Sequence, residues 1–208
     1  MSIVCVHLIS LTSLIVLPIS ILPPLLIAFI RLPIASPAPL VPPLTHVIHS
    51  LITIPISARL HSTWFPDHAA STSHSRDGES IEITCDVLSR AYHILDISLG
   101  YYMPGNIEPD DPAVMVLCKK AGDDTLYDSL GPLTLLITRL CLSDETSRGR
   151  MMEWLLPANL DRTTSLEGRA DLLGRCLRLL ASVLHPKMKD AMGEMLFAVC
   201  NSDGKPFY

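Results

Sequence analysis

Residues 155–199 read LLPANLDRTTSLEGRADLLGRCLRLLASVLHPKMKDAMGEMLFAV, and this stretch decides the fold. From Arg169 the apolar positions are Leu172, Leu173, Cys176, Leu177, Leu180, Val183 and Leu184. Their i, i+3, i+4, i+7 spacing predicts an amphipathic helix. His185-Pro186 stops it, because a proline disfavours α geometry in the residue before it. Pro186 then opens a second helix, where its missing N–H costs nothing. That helix is expected to bury Met188, Ala191, Met192, Met195, Leu196 and Val199. So short a joint folds the two helices back on each other as a hairpin. A lone hairpin cannot bury two apolar stripes, so it needs neighbours of the same kind. The second helix is expected to stay open until a further repeat covers it. The unit is that of a helical solenoid.

A chain of 208 residues is long enough for a sizeable core. Its net charge of −5 gives no pull toward nucleic acid, and no basic aromatic patch occurs. The average hides three zones. Residues 1–66 carry two charged side chains, Arg31 and Arg59, and 10 of the 17 prolines. Residues 67–128 hold twelve acids against four bases, and residues 129–208 hold nine against ten. Such a run of potentials suits a solenoid whose faces differ. The six cysteines are scattered without a CxxC, and no Asn-x-Ser/Thr sequon occurs, which favours a reducing interior over secretion. Cys85, Cys141 and Cys176 fall in apolar helix stripes, where cysteine acts as a small hydrophobe.

Residues 1–31 form an apolar N-terminal segment, membrane-like or an artefact of the gene model. The length of residues 1–30 suffices for a membrane span. Against this, Pro18, Pro23 and Pro24 interrupt the run, and no Lys or Arg precedes it. Every residue from Leu8 to Ile30 can be encoded with a pyrimidine in the second codon position, as translated non-coding sequence would be. A buried first repeat is the third reading.

Residues 32–203 read as armadillo-like helical repeats. Residues 32–43 are a proline-rich link. A helix follows with Leu44, Val47, Ile48 and Leu51, closed by Pro55, and Trp64-Phe65-Pro66 lies in the next connection. Residues 67–78 are a polar loop. A long helix is predicted from Glu79 to Leu99, with Ile81, Cys85, Leu88, Ala91, Tyr92 and Leu95 inward and a loop from Gly100. Asp111 caps a helix that begins with Pro112 and buries Val114 and Leu117. The next helical segment starts at Asp123 or Asp124, breaks at Gly131-Pro132 and resumes to Cys141. Asp144 caps a helix carrying Met151, Met152, Trp154 and Leu155, ended by Pro157. Helix-turn-helix units recur roughly every 35–45 residues, within the armadillo and HEAT range. The fold class is all-α, an armadillo/HEAT-like helical solenoid.

Chemistry is sparse. His46 and His49 share a helix face at i, i+3, but no third ligand stands near to hold zinc. His68 and His74 lie in the polar loop. Gly204-Lys205 lacks the leading glycine and the Ser/Thr of a phosphate loop. Glu108, Asp110 and Asp111 have loop and cap roles without calcium. Neither cofactor nor covalent chemistry is expected. What remains is Arg162, Arg169, Arg175 and Arg178. They either salt-bridge to Asp161, Glu167 and Asp171, with Arg175 paired to Asp171 at i+4, or line a groove that grips an acidic or C-terminal peptide.

Long ordered strings carry a family resemblance. They include Leu156-Pro157, Asp161-Arg162, RADLLGRCLRLLAS (169–182) and KDAMGEMLFAVCNSD (189–203). Others are PPLTHVIHSLITIPIS (42–57), Trp64-Phe65-Pro66, Tyr102-Met103-Pro104-Gly105 with Asp110-Asp111, and LITRLCLSDET (136–146). Over roughly residues 25–203 the chain resembles the synembryn family, its fungal branch most. The resemblance implies a cytosolic armadillo-repeat protein, a guanine nucleotide exchange factor and folding chaperone for heterotrimeric G-protein alpha subunits. It would bind the nucleotide-free alpha subunit through a helical-repeat groove and reach the plasma membrane through that partner. The alternatives are a non-catalytic armadillo-type adaptor and a protein anchored in the membrane by residues 1–30. Residues 204–208 (GKPFY) read as a non-family tail, because Gly204-Lys205 can be encoded by a splice-donor-like GGTAAG.

Overall fold

The computed structural model describes residues 20–66, 86–161 and 163–200. Among them the regular structure is helical throughout, with no strand. The helices are α1 (20–31), α2 (Leu44–Thr53), α3 (His61–Trp64), α4 (Val87–Tyr102) and α5 (Pro112–Ala121), then α6 (Leu126–Ser143), α7 (Glu145–Leu155), α8 (Leu172–Ala181) and α9 (Pro186–Cys200). The polar loop of residues 67–78 lies outside the described residues, as do Ile81 and Cys85. Of the apolar N-terminal segment, residues 20–31 are helical and bury Leu22, Leu26 and Phe29 in the common core.

The stack is built around α6, which α2, α4, α5, α7 and α9 all touch. Its buried residues run from Leu126 to Cys141 and leave little outward face. A helix apolar on nearly every side is a core helix. Its buried hydroxyls are satisfied within the helix: Thr134 donates to the Leu130 carbonyl at 3.0 Å and Thr138 to the Thr134 carbonyl at 2.9 Å. Thr125 caps it in a reciprocal box with Asp128. The start expected at Asp123 or Asp124 therefore falls at Leu126, and Asp123 instead accepts from Ser129.

The break expected at Gly131-Pro132 does not occur, and α6 runs through it. Proline removes one donor, that for the Asp128 carbonyl, and Asp128 lies exposed where solvent can serve it. Gly131 does the rest. With no Cβ it relieves the clash a proline imposes on its predecessor. It also leaves room for the Tyr127 ring, which a Cβ there would approach to 2.7 Å.

Helix α4 continues past Leu99 to Tyr102, through what sequence assigns to a loop. Tyr102 is 1 % exposed and its hydroxyl donates to Ser129 Oγ of α6 at 2.9 Å, which holds this last turn in the core. Asp86 caps α4, Asp111 caps α5 and Asp144 caps α7, each accepting from a main-chain N–H of the first turn. Gly122, at φ 92°, closes α5.

The opening hairpin forms with two corrections. Helix α8 stops at Ala181, so Val183 and Leu184, expected in its apolar stripe, are 79 % and 60 % exposed. Ser182 turns extended, and the amides of Val183 and Leu184 donate to Asp110 rather than to α8. The second correction concerns α9. Its stripe is not open: Met188, Met192, Met195, Ala198 and Val199 are all buried, on a helix that packs against α6, α7 and α8. The hairpin closes over the central helix of its own chain. Met192→Ala should therefore cost about 2–5 kcal/mol in chemical denaturation, whereas Met152→Ala, at a side chain 47 % exposed on α7, should stay within about 0.5 kcal/mol.

Candidate functional site

Of the four arginines singled out by sequence, the structure describes Arg169, Arg175 and Arg178. Arg162 lies outside the described residues. Arg169, just before α8, pairs with Asp171 at 2.6 Å with 31 % of its side chain exposed. Asp171 also caps α8 by accepting from the Gly174 amide at 3.0 Å. The partner of Arg175 is therefore not Asp171 as the i+4 spacing suggests. Arg175 turns inward, donating to Asp96 of α4 at 3.1 Å and to the Met103 carbonyl at 3.2 Å. Arg178 is 3 % exposed. Its guanidinium donates to three carbonyls, those of Glu167, Arg169 (2.8 Å) and Gly105 (3.2 Å). Gly174 permits this, since a Cβ there would stand 2.2 Å from the Arg169 carbonyl oxygen.

These contacts belong to one interlock between the α4–α5 loop (residues 103–111) and the α8–α9 joint (residues 182–185). Asp110 is its centre. It accepts from Ser182 Oγ at 2.5 Å and from the amides of Val183 and Leu184 at 2.9 and 3.1 Å. His185, 4 % exposed, donates through Nε2 to the Pro109 carbonyl at 3.0 Å, and its own amide donates to Ser182 Oγ at 3.1 Å. Burial alone would raise the Asp110 pKa. The three donors from Ser182, Val183 and Leu184, with His185 beside them, outweigh that and hold it below its ordinary 3.8. The loop and cap roles expected of Asp110 and Asp111 are thus what the fold uses them for.

Two further arginines act in the same way and were not singled out by sequence. Arg90 of α4 donates to the Leu32 carbonyl just past α1. Arg139 of α6 donates to the Ile52 and Ile54 carbonyls that end α2, and burial pulls its pKa below the ordinary value. The last carbonyls of a helix have no partner within it, and a guanidinium complements both them and the dipole. A signal existed in sequence: Arg139 and Arg178 interrupt otherwise apolar strings, LLITRLCL and LLGRCLRLL. A basic residue in such a string must either face out or find acceptors inside.

His46 and His49 are both exposed on α2, and among the described residues no three or more His, Cys, Asp or Glu cluster to hold a metal. His68 and His74 lie outside the described residues. Burial lifts the thiols of Cys118, Cys141 and Cys176 to about 11, 12 and 12, so they stay protonated and inert at neutral pH.

Arg178→Ala leaves three inward carbonyls without a donor and should lower stability by roughly 3 kcal/mol, while Arg169→Ala loses only an exposed pair and should change stability far less. Urea titration of the two variants separates them. Asp110 adds a pH signature. Its folded pKa is depressed, so its stabilisation is present above 3.8 and fades as pH falls through the folded value. Asp110→Asn should melt below the parent at neutral pH, and the gap should narrow on acidification. A gap that is constant with pH would mean that the charge contributes nothing.

Comparison with known proteins adds the identity of the fold. A family model described as guanine nucleotide exchange factor synembryn matches residues 18–208. No curated protein and no solved structure matches the chain. The matched span takes in α1 through α9, including both halves of the Asp110 interlock. The chain belongs to the guanine nucleotide exchange factor synembryn family.

Proposed function

We propose that this chain binds heterotrimeric G-protein alpha subunits in their nucleotide-free form, promotes release of GDP, and by the same binding assists the folding of the subunit. The observation that carries this reading is the family match over residues 18–208. Exchange of this kind needs no covalent step. A factor that binds the empty subunit better than the GDP-bound one lowers the affinity for GDP by the same ratio. What such a protein must supply is a stiff surface that the partner's nucleotide-bound form cannot match. Helices locked end to end by guanidiniums are suited to that.

Of Arg169, Arg175 and Arg178, the last two are turned into the chain, and Arg169, although paired with Asp171, is the most exposed and the one a partner can reach. The protein would work in the cytoplasm and reach the plasma membrane through its partner. No helix among the described residues is long and apolar enough to cross a membrane.

The test is release of labelled GDP from purified alpha subunit with increasing amounts of this chain. Release should accelerate with concentration, and the complex should come apart when excess GTP is added, because the coupling is reciprocal. Binding that ignores nucleotide would overturn the exchange reading and leave an adaptor.

A further inference from the structure

Helix α1 is short and apolar on every side. Between Ser20 and Arg31 its sequence is ILPPLLIAFI, without one polar side chain. A helix apolar all round is ordinarily enclosed, by a large core or by lipid. Here one face is enclosed: Leu22, Leu26 and Phe29 are buried, and Leu25 and Ile30 pack against the same core. The opposite face is wet. Ile21 and Ile27 are 42 % and 51 % exposed, and Pro23, Pro24 and Arg31 are exposed with them. Pro24, Ile27 and Arg31 follow at i, i+3 and i+7, so they form one stripe with a guanidinium at its end.

The charge pattern sets this stripe apart. No Asp or Glu occurs before Asp67, so all 21 acids of the chain come later, together with all but two of its 16 lysines and arginines. Those two, Arg31 and Arg59, are the only charged side chains of residues 1–66 apart from any protonated histidine. Residues 1–19, just before α1, add no Lys, Arg, Asp or Glu. An apolar stripe that ends in a cation, in a part of the chain without acids, matches the surface of an anionic bilayer. The acyl boundary accepts the aliphatic side chains and a lipid phosphate accepts the guanidinium. The acidic remainder of the chain is repelled by the same surface.

From this we infer that the outer face of α1 is a membrane-surface contact. Ile21, Pro24 and Ile27 enter the boundary between headgroups and acyl chains of an anionic bilayer, and Arg31 pairs with a lipid phosphate. The helix lies along the surface and does not cross it. Its twelve residues rise about 18 Å, against a hydrocarbon core of about 30 Å. Its inner face is also committed to the core through Leu22, Leu26 and Phe29. So few apolar side chains make a weak and reversible attachment. The assignment goes beyond nucleotide exchange and does not rest on it.

Flotation with vesicles tests this on the whole chain. The chain should float with phosphatidylcholine vesicles that contain phosphatidylserine, and less with phosphatidylcholine alone. Ile21→Asp and Ile27→Asp alter exposed side chains, so the melt should not move, and each should weaken partitioning at least about tenfold. Ile27→Ser, a milder change, should fall between. Arg31→Glu should remove the preference for phosphatidylserine, as should high salt. The inference fails if the chain stays in solution with on the order of 10 mM lipid, or if Arg31→Glu leaves the preference unchanged. It also fails if both Asp variants float as well as the parent, which places attachment elsewhere in the chain. Asp variants that split a dimer of a chain indifferent to lipid would make a second copy the occupant and overturn it too. GDP release is measured in solution without vesicles, so the exchange reading and this one can fail separately.

Discussion

Every helix ends with carbonyl groups that the helix itself cannot satisfy, and in a stack of helices many of those ends are inside. This chain meets the constraint with arginine. Arg90, Arg139, Arg175 and Arg178 each reach from one helix to the terminal or loop carbonyls beyond another. Aspartate could not do this, because a carboxylate only accepts, and lysine would offer a single point of charge where a guanidinium offers a planar fork. The cost is desolvating a cation. It is offset because each carbonyl would otherwise be left bare. Packing of the apolar stripes then fixes how close the helices lie, and the guanidiniums fix which end meets which.

The amino ends are handled by the opposite charge. Asp86, Asp111, Asp144 and Asp171 each accept from an amide in the first turn of their helix. Asp110 is the variation: it caps no helix but the bend between two, and so sets where α8 stops. The acidic middle of the chain is thus spent in part on helix starts, and the arginines of the later part on helix ends.

What could be read from sequence was what is local. The caps at Asp111 and Asp144, the helix openings at Pro112 and Pro186, and the buried faces around Ile48, Cys176 and Met192 all follow from neighbours within a turn or two. The misreadings came from distance. The end of α8 depends on Asp110, 73 residues before Val183. The role of Arg139 depends on a carbonyl 85 residues earlier. The continuity of α6 across Pro132 depends on which side of the helix is wet, which a list of breaker residues does not contain. The strings that carried the family resemblance, YMPG with Asp110-Asp111 on one side and RADLLGRCLRLLAS on the other, are the two halves of the interlock.

The position of α6 has a consequence for how the chain is made. Its apolar surface is shared out among helices that emerge from the ribosome before it, α2 and α4 among them, and one that emerges long after, α9. Until Met188, Met192 and Met195 have been synthesised, one flank of the central helix has nothing to pack against. The core is therefore not complete until α9 has been made, and in the interval between α6 and α9 the central helix is a segment that must be kept from other chains.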